Sequence, residues 1–162
     1  VSDADREAEE IIARLLEAER PDDGLLAEEG SEREGGSGRR WVVDPLDGTI
    51  NYLYRFPAWC VSVALQDERG TLLGVVLDPL REELFAALRG GGSTLNGAPV
   101  RVRGRDRLDM ALVATGFSYG PAERAAQADL VTRLLPRVRD IRRAGAAALD
   151  LAWVAAGRLD GY

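Results

Sequence analysis

The segment Asp44-Pro45-Leu46-Asp47-Gly48-Thr49 brings two carboxylates, a turn-forming proline and a hydroxyl together within a few residues. Asp44 and Asp47 stand three residues apart across that turn, so their carboxylates can converge on one point. The Leu46 carbonyl, released from any strand ladder, can face the same way. A donor set made only of oxygen suits Mg²⁺, a hard cation that prefers carboxylate, carbonyl and water oxygens. Asp-Pro and Asp-Gly are also good turn formers without any chemistry, so the segment alone leaves both readings open.

Two neighbouring features favour a site. Glu28-Glu29 closes the preceding strand-like run, and strand ends lying side by side would bring Glu28 to the same cation cluster. By itself that pair reads as a solvated loop tip. A helix starting at Gly48-Thr49 and running through Asn51, Tyr52 and Leu53 would aim free backbone N–H groups at the cluster, an arrangement that binds phosphate. The Thr49 hydroxyl can accept a hydrogen bond from a water while donating its own hydrogen to a carboxylate, which would orient or deprotonate that water.

The elements that must position these residues can be read from periodicity. Ala8, Ile11, Ile12, Leu15 and Leu16 recur at helical spacing and stop at Arg20-Pro21, which predicts an amphipathic helix. Gly24 to Ala27 reads as a short strand, Ser31 to Gly38 as a charged glycine-rich loop, and Trp41 to Val43 as a buried strand ending at Asp44-Pro45. Cys60 to Leu65, Leu72 to Leu77 and Glu83 to Ala87 follow as an antiparallel meander. Gly90-Gly91-Gly92 and Asn96-Gly97 then mark a hairpin into Val100 and Val102, since Asn-Gly is the favoured type I′ turn. Met110 to Thr115 reads as a strand, with helices over about 121–135 and 144–156. The second helix carries Ala148, Leu151, Ala152 and Ala155 on one face. The order gives an α+β pattern with an α/β tail.

Composition narrows the chemistry. A net charge of -6 and a pI near 4.8 repel phosphate backbones, so nucleic acid is not an expected partner. The same acidity handicaps any anionic substrate unless the carboxylates first collect cations. Cys60 is the single cysteine and histidine is absent, which excludes an internal disulfide, the usual zinc sites and His-based triads. No apolar run approaches the roughly 20 residues of a bilayer-spanning helix, so no membrane partner is expected. Val1 opens directly into the helix start Ser2-Asp3-Ala4-Asp5 rather than a signal peptide, which points to the cytoplasm. Arg137, Arg139, Arg142 and Arg143 read as a solvated surface. Cys60 and the tryptophans Trp41, Trp59 and Trp153 read as packing residues.

The run Trp41-Val42-Val43-Asp44-Pro45-Leu46-Asp47-Gly48-Thr49-Ile50-Asn51-Tyr52, followed by Arg55-Phe56-Pro57 and Val61-Ser62-Val63-Ala64, resembles the inositol monophosphatase family of lithium-sensitive, Mg²⁺-dependent phosphatases. Asp3-Ala4-Asp5, Glu28-Glu29-Gly30, Leu95-Asn96-Gly97 and the stretch from Gly145 to Tyr162 extend the resemblance over nearly the whole chain. It implies the layered α/β sandwich of the inositol monophosphatase and fructose-1,6-bisphosphatase type. It also implies an antiparallel-sheet part over about 1–108 and the start of an α/β part over about 109–162. Carried over residue by residue, Glu28, Asp44 and the Leu46 carbonyl would bind a first Mg²⁺, and Asp44 and Asp47 a second. Glu28 would also help with a third ion, and Mn²⁺ is an alternative cation. Asp5 and Thr49 would activate the water, the amides of Gly48 and Thr49 would hold the phosphate, and Ala146 and Ala147 would contact the alcohol.

The implied substrate is a small phosphorylated alcohol or sugar, foremost inositol 1-phosphate. Histidinol phosphate, fructose 1,6-bisphosphate and 3′-phosphoadenosine 5′-phosphate are alternatives, and a non-catalytic interaction protein on the same fold is a reading of a different class. Homodimers are common in the family. Its members continue beyond the position of Tyr162 into a Trp-Asp pair whose aspartate completes the second metal site. The chain is therefore expected to be a partial domain with little turnover by itself.

Overall fold

The computed structural model describes residues 2–162. Helix α1 (Asp3–Glu19) begins where Ser2 caps it in a reciprocal box with Asp5, which satisfies N–H groups that have no partner inside the helix. Its Ile12, Ala13 and Leu16 pack against Leu25, Ala27, Trp41, Val43 and Val63. Ile11 and Leu15, expected on the apolar face, are instead exposed. The helix turns a narrower stripe to the sheet than its composition suggests.

Strands β1 (Gly24–Ala27), β2 (Glu32–Arg33), β3 (Arg40–Asp47), β4 (Cys60–Asp67), β5 (Gly70–Asp78), β6 (Glu83–Leu88), β7 (Gly92–Leu95) and β8 (Ala98–Val100) form one sheet in the order β2-β1-β3-β4-β5-β6-β7-β8. From β3 onward each strand pairs antiparallel with the next, as the meander predicts. The β1–β3 pair is parallel, with Ala27 opposite Val43. Both strands therefore run toward the same end of the sheet, and Glu28 follows β1 where Asp44 follows Val43. The segment read as a loop contributes the two residues of β2, which pair with β1. At the β7–β8 hairpin Asn96 and Gly97 have φ of 48° and 79°, the left-handed conformation of a type I′ turn.

Strand β3 does not stop at Asp44-Pro45. Asp44 lies opposite Ser62 and Asp47 opposite Cys60, so β3 spends three steps against two on β4. Proline has no N–H to give to a ladder, and the extra residue is absorbed as a β-bulge rather than a strand end. The bulge turns the chain into α2 (Thr49–Leu53).

Strands β9 (Leu112–Ala114) and β10 (Asp140–Arg142) form a separate parallel pair flanking α3 (Pro121–Leu134). β10 lies within the arginine-rich run read as surface. Helix α4 (Ala147–Ala155) rests on the sheet face opposite α1. Leu149, Ala152 and Ala146 bury themselves with Cys60 and Phe85, while Leu151 remains exposed. Full burial of side chains such as Leu149 contributes about 1.5–3 kcal/mol each. Among the described residues no helix is long and apolar enough to cross a membrane.

Candidate active site

The capping box at the start of α1 leaves one oxygen of Asp5 free for another partner. Asp5 Oδ2 accepts from the Ser2 amide and hydroxyl, both at 2.5 Å, while Oδ1 accepts from Thr49 Oγ1 at 2.9 Å. Helix capping and the Thr49 pair are therefore two uses of one carboxylate. Burial pushes this carboxyl up, but the hydrogen bonds from Ser2 and Thr49 outweigh it and hold it below the usual carboxylate range. Thr49 Oγ1 also lies 3.2 Å from the Leu46 carbonyl. A hydroxyl has one hydrogen to give, so the closer, anionic Asp5 is its acceptor.

Asp44 is half-buried beside the exposed Glu28. Burial, the charge and hydrogen bond of Glu28 and the charge of Asp47 together push the Asp44 carboxyl up to about 7. The Leu46 amide, donating to Asp44 Oδ1 at 3.1 Å, opposes them. The main chain enforces this closeness, because the Glu28 amide donates to the Val43 carbonyl at 3.1 Å.

Asp47 turns toward the other half of the chain. Its Oδ2 accepts from the Ala148 amide at 2.6 Å and lies 3.8 Å from Cys60 Sγ. Burial raises the Asp47 carboxyl despite these donors. Burial, followed by the charges of Asp47 and Asp44, likewise pushes the Cys60 thiol up, so Cys60 is an inert core residue. Gly48 joins Asp47 to α2 with φ of 98°, and a Cβ there would meet the Ala58 carbonyl oxygen at 3.0 Å. Only glycine suits both the conformation and the space. Asn51 Nδ2 donates to the Ala58 and Ala144 carbonyls at 2.6 and 2.8 Å, tying α2 to the loop before α4.

Ala146 is fully buried and Ala147 exposed. Both border a cavity of about 470 Å³ together with Asp47, Arg143, Asp150 and Tyr162. Burial, then the charge of Asp47, pushes the Asp150 carboxyl up to about 6. Among the described residues its Oδ1 has no hydrogen-bond partner. Glu28 and Asp44 border a different cleft of about 390 Å³.

The structure thus pairs Asp5 with Thr49 and Glu28 with Asp44, while one oxygen of Asp47 holds the start of α4. Among the described residues no cluster of three or more Asp, Glu or Cys side chains is arranged to hold a metal ion. Mg²⁺ nevertheless commonly keeps several waters and takes only one or two carboxylates. The charge of Glu28 beside Asp44 disfavours the Asp44 anion, and a cation bound there would offset it. In donor type and in charge, the residues fit the cation.

Two buried acids contribute that were not singled out from the sequence. Glu9 is 3% exposed and accepts from the Glu29 and Ser31 amides at 2.7 and 2.8 Å. Its spacing of four from Asp5 places both acids on one face of α1, a signal that was available. Asp150 carried no such signal.

The model of the Inositol monophosphatase family matches residues 1–162. The chain is 49% identical over 162 residues to the Nus factor SuhB of Xylella fastidiosa, covering 99% of this chain and 58% of that protein. To the inositol-1-monophosphatase of Rhizobium meliloti it is 44% identical, covering 100% of this chain and 62% of that protein. The chain therefore spans about three-fifths of the curated relatives it matches. The crystal structure of extragenic suppressor protein suhB from Bartonella henselae superposes with a TM-score of 0.94 at 43% identity, covering 98% of this chain and 63% of that one. With the family model matching over its length and these relatives so similar, the chain belongs to the inositol monophosphatase family.

Proposed function

We propose that the protein hydrolyses a small phosphate monoester, foremost inositol 1-phosphate, with the help of Mg²⁺. The observation that carries this reading is the Thr49 hydroxyl donating to a buried, ionised Asp5 across 44 residues of sequence, next to the crowded Glu28–Asp44 pair. The inositol-1-monophosphatase of Rhizobium meliloti supports the substrate class. Histidinol phosphate, fructose 1,6-bisphosphate and 3′-phosphoadenosine 5′-phosphate are the competing substrates.

Glu28, Asp44 and the Leu46 carbonyl would hold one cation, Asp44 and Asp47 a second, and Glu28 would help with a third; Mn²⁺ is an alternative. When bound, Mg²⁺ supplies positive charge to the phosphate and leaving oxygen and makes a water acidic enough to attack at neutral pH. Thr49 Oγ1, its hydrogen directed at Asp5, accepts a hydrogen bond from the attacking water, and the proton is relayed toward the Asp5 carboxylate. The Gly48 and Thr49 amides donate to the phosphate oxygens. Ala146 and Ala147 border the space for the alcohol. Attack in line with the leaving oxygen needs no covalent enzyme intermediate.

We further propose that the chain divides near residue 108 into an antiparallel-sheet part and an α/β part, and that the full-length protein is a cytoplasmic homodimer. Asp5→Asn should lower phosphate release without weakening Mg²⁺ binding; unchanged release would refute the relay.

The name of the Xylella fastidiosa relative favours a second reading, a Nus-factor role in the transcription machinery. The two readings separate cleanly. An Asp44→Asn protein should lose hydrolysis yet keep any such role.

A further inference from the structure

The geometry points to Glu9 as a positioning residue whose two carboxylate oxygens fix the turn that sets Glu28 beside Asp44. This inference rests on the reading of Glu28 and Asp44 as cation ligands. Glu28 itself is exposed, so its main chain does much to set its place. On one side its amide is bonded to Val43, the residue before Asp44, at 3.1 Å. On the other side the turn through Gly30, with φ of 114°, must be held. Glu9 does this from α1, with Oε2 on the Glu29 amide at 2.7 Å and Oε1 on the Ser31 amide at 2.8 Å.

The residue type follows from the task. Two separate N–H groups need two acceptor oxygens, and among the side chains long enough only glutamate offers two without also presenting a donor. Burying that carboxyl group at 3% exposure is costly unless both oxygens are used, as they are. The same helix face places Asp5 on Thr49. Helix α1 thus docks both the hydroxyl and the carboxylate side of the site through two acids one turn apart.

The test is a calorimetric Mn²⁺ titration of the full-length protein and of Glu9→Gln, Glu9→Ala, Asp23→Asn and Asp44→Asn, with amide hydrogen exchange at Glu29 and Ser31 in metal-free protein. Loss of a group that orients a metal ligand weakens binding about 10–100-fold. Glu9→Gln, which keeps one acceptor oxygen, should fall at the lower end of that range and lose protection at one of the two amides, and Glu9→Ala at both. Asp23 is another buried carboxylate, bound to Ser37 and Trp41, that plays no part in the site. Asp23→Asn should lower the melting temperature and leave the Mn²⁺ affinity unchanged. Asp44→Asn should abolish the site.

Wild-type affinity in Glu9→Gln alongside a lost site in Asp44→Asn would overturn the positioning role and leave the cation reading standing. Equal weakening by Asp23→Asn would also overturn it, because the effect would then be general destabilisation. Wild-type binding by Asp44→Asn would remove the cation reading and this inference with it. If Glu9→Ala does not fold, Glu9→Gln decides.

Discussion

The Asp47 carboxylate accepts the Ala148 amide at 2.6 Å across 101 residues of sequence, so a residue of the bulge in β3 serves as the missing cap of α4. Ala146, at the N-cap position, has no side-chain oxygen to offer. Asp47 therefore satisfies a helix-end donor and meets the positive end of the helix dipole while its other oxygen remains for a ligand. The two roles can be separated. Asp47→Asn keeps an acceptor for Ala148 and should retain most of the stability but lose activity. Asp47→Ala should lose activity and about 0.5–2 kcal/mol of stability, the usual cost of a lost cap, as read by urea unfolding.

Thr49 and Asp5 act as a pair. Thr49→Val keeps the shape but removes the hydroxyl and should lower kcat by about 10²–10⁴-fold, the range of positioned acid–base groups. Thr49→Ser should restore much of it. Because Asp5 also caps α1, Asp5→Asn should cost stability as well, and Thr49→Val, which leaves the buried Asp5 Oδ1 without its donor, should cost about 1–3 kcal/mol. A Thr49→Val enzyme with wild-type kcat would contradict the relay.

Acid stability should depend on Asp23. The hydrogen bond from Ser37 foremost, helped by Trp41 Nε1 and nearby arginines, holds this carboxyl below its usual range. A depressed folded value means the stabilisation is complete above the unfolded value of about 3.9 and is lost as pH falls through the lower folded value. Asp23→Asn should therefore lower the melting temperature at pH 7 and flatten its decline below about pH 4. Melting curves between pH 2 and pH 7 check the sign.

The core under the site should be sensitive to volume. Leu149 is fully buried against Cys60 and Phe85. Leu149→Ala should destabilise by about 2–5 kcal/mol in denaturant unfolding, the range for buried leucine truncation. A loss below about 1 kcal/mol would mean that the α4 layer is loosely packed.

The meander, the Asn96-Gly97 hairpin and all four helices were legible because period and turn chemistry are local signals. The parallel β1–β3 pairing sets Glu28 beside Asp44, although β3 itself runs on to Asp47. Three features were not legible. Pro45 signals an interrupted ladder equally well by ending a strand or by bulging it, and only pairing with Ser62 and Cys60 decides. β2 and β10 are too short to show alternation and exist through their partners. The cap that Asp47 gives α4 is a contact across the chain between a residue read as a ligand and a helix start without a capping side chain. Glu9 was within reach, since its spacing from Asp5 is helical, but it was hidden among the many charges of α1.

The most direct measurement is phosphate release from inositol 1-phosphate by the full-length protein, with and without Mg²⁺, compared with Asp44→Asn. Mg²⁺-dependent hydrolysis through Asp44 predicts release that requires Mg²⁺, is inhibited by lithium, and is lost in Asp44→Asn while the fold is retained. Release by Asp44→Asn at the wild-type rate, or release indifferent to Mg²⁺, would contradict it.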